Sequence, residues 1–238
     1  MMHLSKIMLR RDVNASAIAR HVADNAYLDH MGLWRLFADK GTEAPFFLYH
    51  RMIEKQWPTF LVLSNVPPAV SEDWHIETKP FAPRIANGMR LRFSLRANPV
   101  VTHKSDDGRH VRRDVVMVRK HGLKRDGTPR GKWPSQQQLV QEECVKWLLA
   151  RAEKHGFVLI KRPEGQGAYT WLVETNGYRQ HEMHKRGAKP ILFSTVDFDG
   201  VLEVTDADVF SAALQHGIGP AKGFGCGLLL IRRAAEMV

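Results

Sequence analysis

Tyr27 and His30 stand three residues apart in a stretch, 27–37, whose apolar spacing reads as a helix. At that spacing they share a face, with Trp34 one turn further along. Histidine changes charge near neutral pH, so such a pair can donate or accept a proton in a transition state. A lone helical histidine is also a common core residue, and that reading stands beside the catalytic one. The second chemical signal lies far away, at Gly217-Ile-Gly-Pro-Ala-Lys-Gly-Phe-Gly-Cys-Gly227, with five glycines in eleven residues around Lys222. Glycines let backbone amides approach an anion closely and form concave nests for it. The plainer reading is a tight helix-to-strand turn. A dinucleotide fingerprint is excluded because that motif follows a strand and opens a helix, the reverse of the order here. Lys222-Gly-Phe-Gly matches the start of an RNA-recognition signature but precedes the final strand, the wrong place for it.

Other constellations carry less. His181-Glu-Met-His184 lacks zinc-protease spacing and falls in an expected hairpin, so no metal is assigned. Cys144 and Cys226 fit no metal-ligand pairing, Glu142-Glu143 and Asp106-Asp107 read as surface acids, and no serine nucleophile motif stands out. No cofactor is expected.

The chain has 238 residues, 44% of them hydrophobic, enough for one large or two small domains with a core that needs no staples. Apolar content and mixed charge exclude wholesale disorder. The longest apolar run, 226–231, falls far short of the about 20 residues a membrane span requires, so no membrane partner is expected. Lys6, Arg10 and Arg11 interrupt the opening residues, so no export signal is read, and both cysteines are expected as reduced thiols in the cytoplasm.

Thirty-five basic against 25 acidic residues leave a net charge of +10, which favours a polyanionic partner. More than half of that excess lies in 103–133, where ten Lys/Arg face four Asp. Its Asp-Gly, His-Gly and Thr-Pro steps read as turns, so a long exposed basic loop is expected, with at most a short strand at 115–118. It is either a charged linker or an arm that orders on phosphates, using Arg112, Arg113, Arg119 and Lys120. A second basic run, Tyr178 to Lys189, lies between strand-like runs at 169–174 and 191–196 and reads as a hairpin with a basic tip, Arg179, Lys185, Arg186 and Lys189, or simply as a solvated loop.

The elements that must position these groups follow. Strands are read at 3–9, 46–51, 59–64, 74–79, 89–102, 157–161, 191–204 with a turn or bulge at Asp199-Gly200, and 228–232. Helices are read at 15–23 behind Asn14, at 27–37 behind Asp24 or Asn25, at 135–155 with a Ser135/Gln138 capping box and Gly156 as stop, and at 206–216. The second half thus reads β-α-β-hairpin-β-α-β, the ferredoxin-like order, and the first half a version whose second helix is reduced. The expectation is an α+β chain of two tandem ferredoxin-like (RRM-like) domains, 1–86 and 87–238, the second holding the basic loop, the hairpin and the glycine-rich loop.

Several stretches, in order along almost the whole chain, resemble one family. They are the start Leu4-Ser-Lys-Ile-Met-Leu, Tyr27-Leu-Asp-His-Met-Gly-Leu-Trp34, Phe47-Leu-Tyr-His50, Leu91-Arg-Phe-Ser-Leu-Arg-Ala-Asn-Pro99, Phe198-Asp-Gly-Val-Leu-Glu-Val204 and Gly217–Leu230. The chain is similar to the CasE-type CRISPR repeat-processing endoribonucleases, subunits of the Cascade complex. Segment 103–133 is longer than is usual there, and the resemblance is weakest in it.

That resemblance implies a metal-independent endoribonuclease acting on a CRISPR repeat RNA hairpin, with the other Cascade subunits as partners. It places the catalytic pair on Tyr27 and His30, and Arg35 is added here to stabilise phosphate charge. The 2′-OH of the RNA would attack its own phosphate at the 3′ base of the stem, leaving a 2′,3′-cyclic phosphate or 3′-phosphate and a 5′-OH. The product would stay bound for the effector complex. The basic hairpin would read the stem near its end, where a thin ribbon can enter a groove otherwise too deep and narrow for side chains. Segment 103–133 and the loop residues Gly217, Gly219, Lys222, Gly223, Gly225 and Gly227 would hold phosphates. Two rival classes remain: a non-catalytic RNA-binding module, which would not need the Tyr27–His30 pair, and a phosphate-dependent metabolic enzyme, which would not need the basic segments.

Overall fold

The computed structural model describes residues 1–14, 16, 18, 25–37, 45–55, 57–104, 108–165, 167–183 and 190–234. The helix expected at 15–23, apart from residues 16 and 18, and the basic tip with Lys185, Arg186 and Lys189 lie outside them. The chain divides into two compact units, Met1–Arg84 with Leu214–Leu228, and Ile85–Ala213 with Leu229–Val238. The glycine-rich loop, assigned by sequence to the second module, thus belongs to the first unit.

The first unit is one antiparallel sheet covered by a helix. Strands β1 (Met2–Leu9), β2 (Phe47–Glu54), β3 (Trp57–Ser64) and β4 (Trp74–Phe81) lie in the order β2-β3-β1-β4. Helix α1 (Ala26–Trp34) begins at Asn25, whose side chain accepts from the Tyr27 and Leu28 amides at 3.0 and 3.3 Å. Alternation along the strands sends Ile7, Leu9, Phe47, Tyr49, Phe60 and Val62 to one face, where they pack with Leu33, Leu36, Phe37 and Trp74. No helix separates β3 from β4, where the sequence left the second helix reduced. A buried ion pair anchors α1: Arg51 of β2 donates to Asp29 at 2.5 Å, both side chains under a tenth exposed. Removing one member of a buried pair typically costs about 3–5 kcal/mol, because the remaining charge loses its counter-charge while still out of water.

The second unit repeats the strand order. Strands β5 (Arg90–Ala97), β11 (Val173–Met183), β12 (Ile191–Val204) and β13 (Leu229–Arg233) lie as β11-β12-β5-β13, all antiparallel, with β8 (Phe157–Leu159) also on β12. Helices α3 (Gln136–Ala152), with its Ser135/Gln138 capping box, and α4 (Ala207–His216), capped by Asp206, match the helices read from sequence. Trp147 of α3 stacks on Phe198 of β12 at 6.0 Å.

Four local expectations change. The strand expected at 89–102 breaks at Asn98-Pro99 into β5 and β6 (Val100–Lys104), because proline supplies no N–H to a ladder. Strand β12 runs through Asp199-Gly200 without a register break; Gly200 is there because a Cβ would sit 2.5 Å from the Leu172 carbonyl. The run 169–174 is divided between β10 (Ala168–Trp171), which pairs with β9 (Lys161–Gly165) in a hairpin not expected, and β11. The basic segment is not an extended loop: β7 (His110–Asp114) pairs with β6, and α2 (Val115–Arg125) follows, a helix where a short strand was expected. Asp114 caps α2, accepting from the Met117 amide at 2.8 Å, and Val115, Val116 and Leu123 are buried. Gly122, read as a turn, is an interior helical residue with open space around its Cα. Gly122→Ala is therefore expected to stabilise the chain by about 0.5–1 kcal/mol in a urea titration; a loss of stability would mean that 115–125 is not helical.

Candidate active site and basic surface

In the first unit His30 is built into an aromatic wall. Its ring stacks on Phe47 of β2 at 5.4 Å and 22°, with Trp34 of its own helix at 6.1 Å. The imidazole is half-buried, and its Nδ1 is buried with no hydrogen-bond partner among the described residues. Burial holds the imidazole below its ordinary value, which favours the neutral ring. Tyr27 shares the His30 face and is half-buried. Arg35 is not brought to the ring: it lies beyond the last helical residue, exposed, and five residues on is about 140° round the helix from His30.

The glycine-rich loop closes the other side of the ring. It wraps β2, an edge strand, meeting Leu48 from one face and Tyr49 from the other: a Cβ on Gly217 would lie 2.8 Å from Leu48 Cδ1, and one on Gly225 would lie 3.1 Å from Tyr49 Cε2. The Ile218 amide donates to the Gly227 carbonyl at 2.9 Å, and the positive φ of Gly217 (73°) and Gly227 (94°) makes that closure possible. Within the loop a 3₁₀ turn, Lys222–Phe224, sets Gly223 against the imidazole, its Cα open enough that a Cβ would lie 3.7 Å from His30 Cε1. Gly219 also has positive φ. Lys222 is half-buried, and burial lowers its pKa. So Gly223 faces His30, Gly225 faces Tyr49, and the stem of Lys222 lies against Gly227 within the same loop.

Sequence reading missed Tyr49. The residue is 1% exposed, and its hydroxyl lies 3.1 Å from the Ala26 carbonyl and 3.3 Å from the Gly223 carbonyl and donates between them. Period-two alternation in 47–51 marks it as buried but says nothing of what its hydroxyl meets.

In the second unit the two basic segments meet at Asp114. Its carboxylate, which also caps α2, accepts from Tyr178 at 3.1 Å and from the Ser194 hydroxyl. Burial, then the Asp114 charge, push the Tyr178 phenol above its ordinary value, so it remains a donor. Asp114 thus ties the end of the strand that carries Arg112 and Arg113 to the strand that carries Arg179. Arg112, Arg113 and Arg179 are exposed, Lys120 is half-buried, and exposed Arg119 lies 3.9 Å from Glu143. His181 Nε2 lies 2.9 Å from the Thr195 hydroxyl and its ring stacks on Phe193 at 4.7 Å; His184 lies outside the described residues. A groove of about 720 Å³ in this unit is lined by Arg92, Arg162 and Arg232 but equally by Glu164, Glu174 and Asp199, so it lacks the one-sided charge of a phosphate track. Both cysteines are free and buried, and no described helix is long and apolar enough to cross a membrane.

The depressed pKa of His30 has a sign that can be checked. Unfolded, the ring takes up its proton at about 6.5, a higher pH than it does folded. Its contribution to stability is therefore complete above about 6.5 and is lost as pH falls through the folded value. An NMR titration of the ring is expected to show a midpoint below 6.5, and His30→Asn to flatten the acid side of the stability profile.

The whole chain has close counterparts. Residues 2–233 match the model of a family described as CRISPR associated protein. The Cascade subunit CasE of Escherichia coli strain K12 is 30% identical over 96% of this chain and 98% of its own length. The CRISPR-associated endoribonuclease Cse3 of Thermus thermophilus is 29% identical over 84% of this chain and 78% of its own. A structure of Thermus thermophilus Cse3, bound to an RNA representing a pre-cleavage complex, superposes with a TM-score of 0.69 at 26% identity, covering 97% of this chain and 98% of that one. With matching sequence and fold along nearly its whole length, the chain belongs to the CRISPR-associated proteins, and within them to the CasE type.

Proposed function

We propose that this chain is an endoribonuclease that cuts precursor CRISPR RNA at the 3′ base of the repeat hairpin, without a metal, and retains the product for a Cascade complex. The observation that carries the reading is the His30 ring, half-buried, kept neutral and backed by the glycine-rich turn, in a chain of this family. The Thermus relative is named an endoribonuclease and the Escherichia coli relative a Cascade subunit, which supports the same activity and assembly here. Each unit is read as ferredoxin-like: the shared order β2-β3-β1-β4 and β11-β12-β5-β13, with a helical crossover in each, supports that assignment.

The chemistry needs no group beyond the RNA and these side chains. The 2′-oxygen attacks the adjacent phosphorus, the bond to the 5′-oxygen breaks, and a proton leaves the 2′-OH while another reaches the departing 5′-oxygen. His30 performs one of these transfers, and Tyr27, on the same helix face, orients the phosphate or supplies the other. Positioned transfers of this kind contribute typically about 10²–10⁴-fold. Lys222 and the loop amides take the developing phosphate charge in place of Arg35, which the helix turns away. The surface joined at Asp114 holds the stem, with Arg112, Arg113 and Arg179 on its backbone.

The test is cleavage of the cognate repeat hairpin in excess EDTA. Wild-type chain is expected to cut, leaving a 5′-OH; His30→Ala, or a single 2′-deoxy at the cut site, is expected to abolish cutting. Cutting that survives His30→Ala would remove the residue from the chemistry, and binding without cutting would make the chain an RNA-binding module. Arg112→Ala with Arg113→Ala is expected to weaken binding to all hairpins alike and to lower the slope of log K against log salt by about one for each phosphate no longer neutralised.

A further inference from the structure

We propose that Tyr49 is the positioning residue of this site, its buried hydroxyl setting the separation of helix α1 from the glycine-rich turn and so aiming the His30 ring. The inference rests on the reading of His30 as the proton carrier. A buried tyrosine needs one partner for its hydroxyl, and one carbonyl would satisfy it. This hydroxyl lies between two carbonyls, Ala26 at 3.1 Å and Gly223 at 3.3 Å, which belong to the two elements on either side of the imidazole. Neither is an incidental acceptor. In an α-helix the carbonyl of Ala26 accepts the N–H four residues on, which is that of His30 itself. Gly223 is the residue whose Cα faces the ring, with room for a methyl at 3.7 Å from Cε1 and 3.8 Å from Nδ1.

The tyrosine ring is held as firmly as its hydroxyl. Gly225 lies so close that a Cβ there would fall 3.1 Å from Cε2. On the same strand face, two residues earlier, Phe47 lies 6.2 Å from the tyrosine ring and stacks on His30. One strand thus supplies both the floor under the imidazole and the tie between its flanking elements. Displacing a reacting group by about 1 Å can cost about 10²-fold in rate. Without the hydroxyl the floor remains while the tie is lost, so the effect should fall on the rate of cleavage rather than on RNA binding.

The experiment compares the full wild-type chain with Tyr49→Phe, with His30→Ala, and with 4-aminophenylalanine incorporated at position 49, which restores a donor. Single-turnover cleavage is measured at saturating protein, affinity with a hairpin carrying 2′-deoxy at the cut site, and folding by thermal melting. Tyr49→Phe is expected to lower the cleavage rate constant at least about tenfold with Kd within about twofold, and the aminophenylalanine chain to recover most of the rate. The inference is overturned if Tyr49→Phe cuts within about twofold of wild type while His30→Ala is inactive, or if rate and affinity fall together. Should Tyr49→Phe fail to fold at the assay temperature, the aminophenylalanine chain decides: wild-type rate supports the tie, and a folded but slow chain refutes it. Undiminished cutting by His30→Ala would instead end the reading of His30, and this inference with it.

Discussion

The buried pair between Asp29 and Arg51 governs the rotation of helix α1. Successive residues of a helix lie about 100° apart, so an apolar seam alone would seat α1 on the sheet while leaving its rotation loosely determined. A charge pair taken out of water tolerates less looseness, because its attraction depends on close approach while both groups stay desolvated. With Asp29 held on β2, the next side chain along the helix falls over Phe47, and the face carrying Tyr27 and His30 turns towards the loop. The pair is thus better understood as a device for orientation than as a source of net stability.

The loop answers that orientation from the other side. Its glycines divide by task. Gly217 and Gly227 permit a closure that a side chain would block, and Gly225 lets the backbone pass the edge of the Tyr49 ring. Gly223 is less crowded, leaving space beside the imidazole. The same closeness removes solvent from Lys222 and from His30, and both lose affinity for a proton as a result. The imidazole keeps a buried nitrogen with no partner among the described residues, beside the space that Gly223 leaves.

Much of this was legible in the residues, for identifiable reasons. Asn25 before an apolar helix, Ser135 with Gln138 before another, and alternation along the strands are local signals, and the structure obeys them. The pairing of Tyr27 with His30 follows from helical spacing alone. Failures occurred where tertiary context overrode local signals. Gly122 and a dense run of charges disguised α2, because only three of its apolar residues are buried and its other faces are free to be basic. The hairpin β9–β10 was invisible since its strands carry glycine, proline and charge in place of alternation. Arg35, at the helix end, is five residues on from His30 and so about 140° round the axis, so nearness in sequence did not become a shared face. Nothing in a single sequence shows that Asp114 links two distant basic segments, or that Tyr49 reaches across 174 residues to Gly223.

That sequence separation has a consequence for how the protein comes into being. The first unit is assembled from both ends of the chain, its sheet and helix α1 from the first 84 residues and its loop from Leu214–Leu228. A ribosome that has released the sheet and the helix has still to make the whole intervening unit before residue 217 emerges. Until then the imidazole lacks its lid and Tyr49 lacks the Gly223 carbonyl. The sheet and helix thus wait for a loop made a whole unit later, and a chain cut short before that loop would carry Tyr27 and His30 without it.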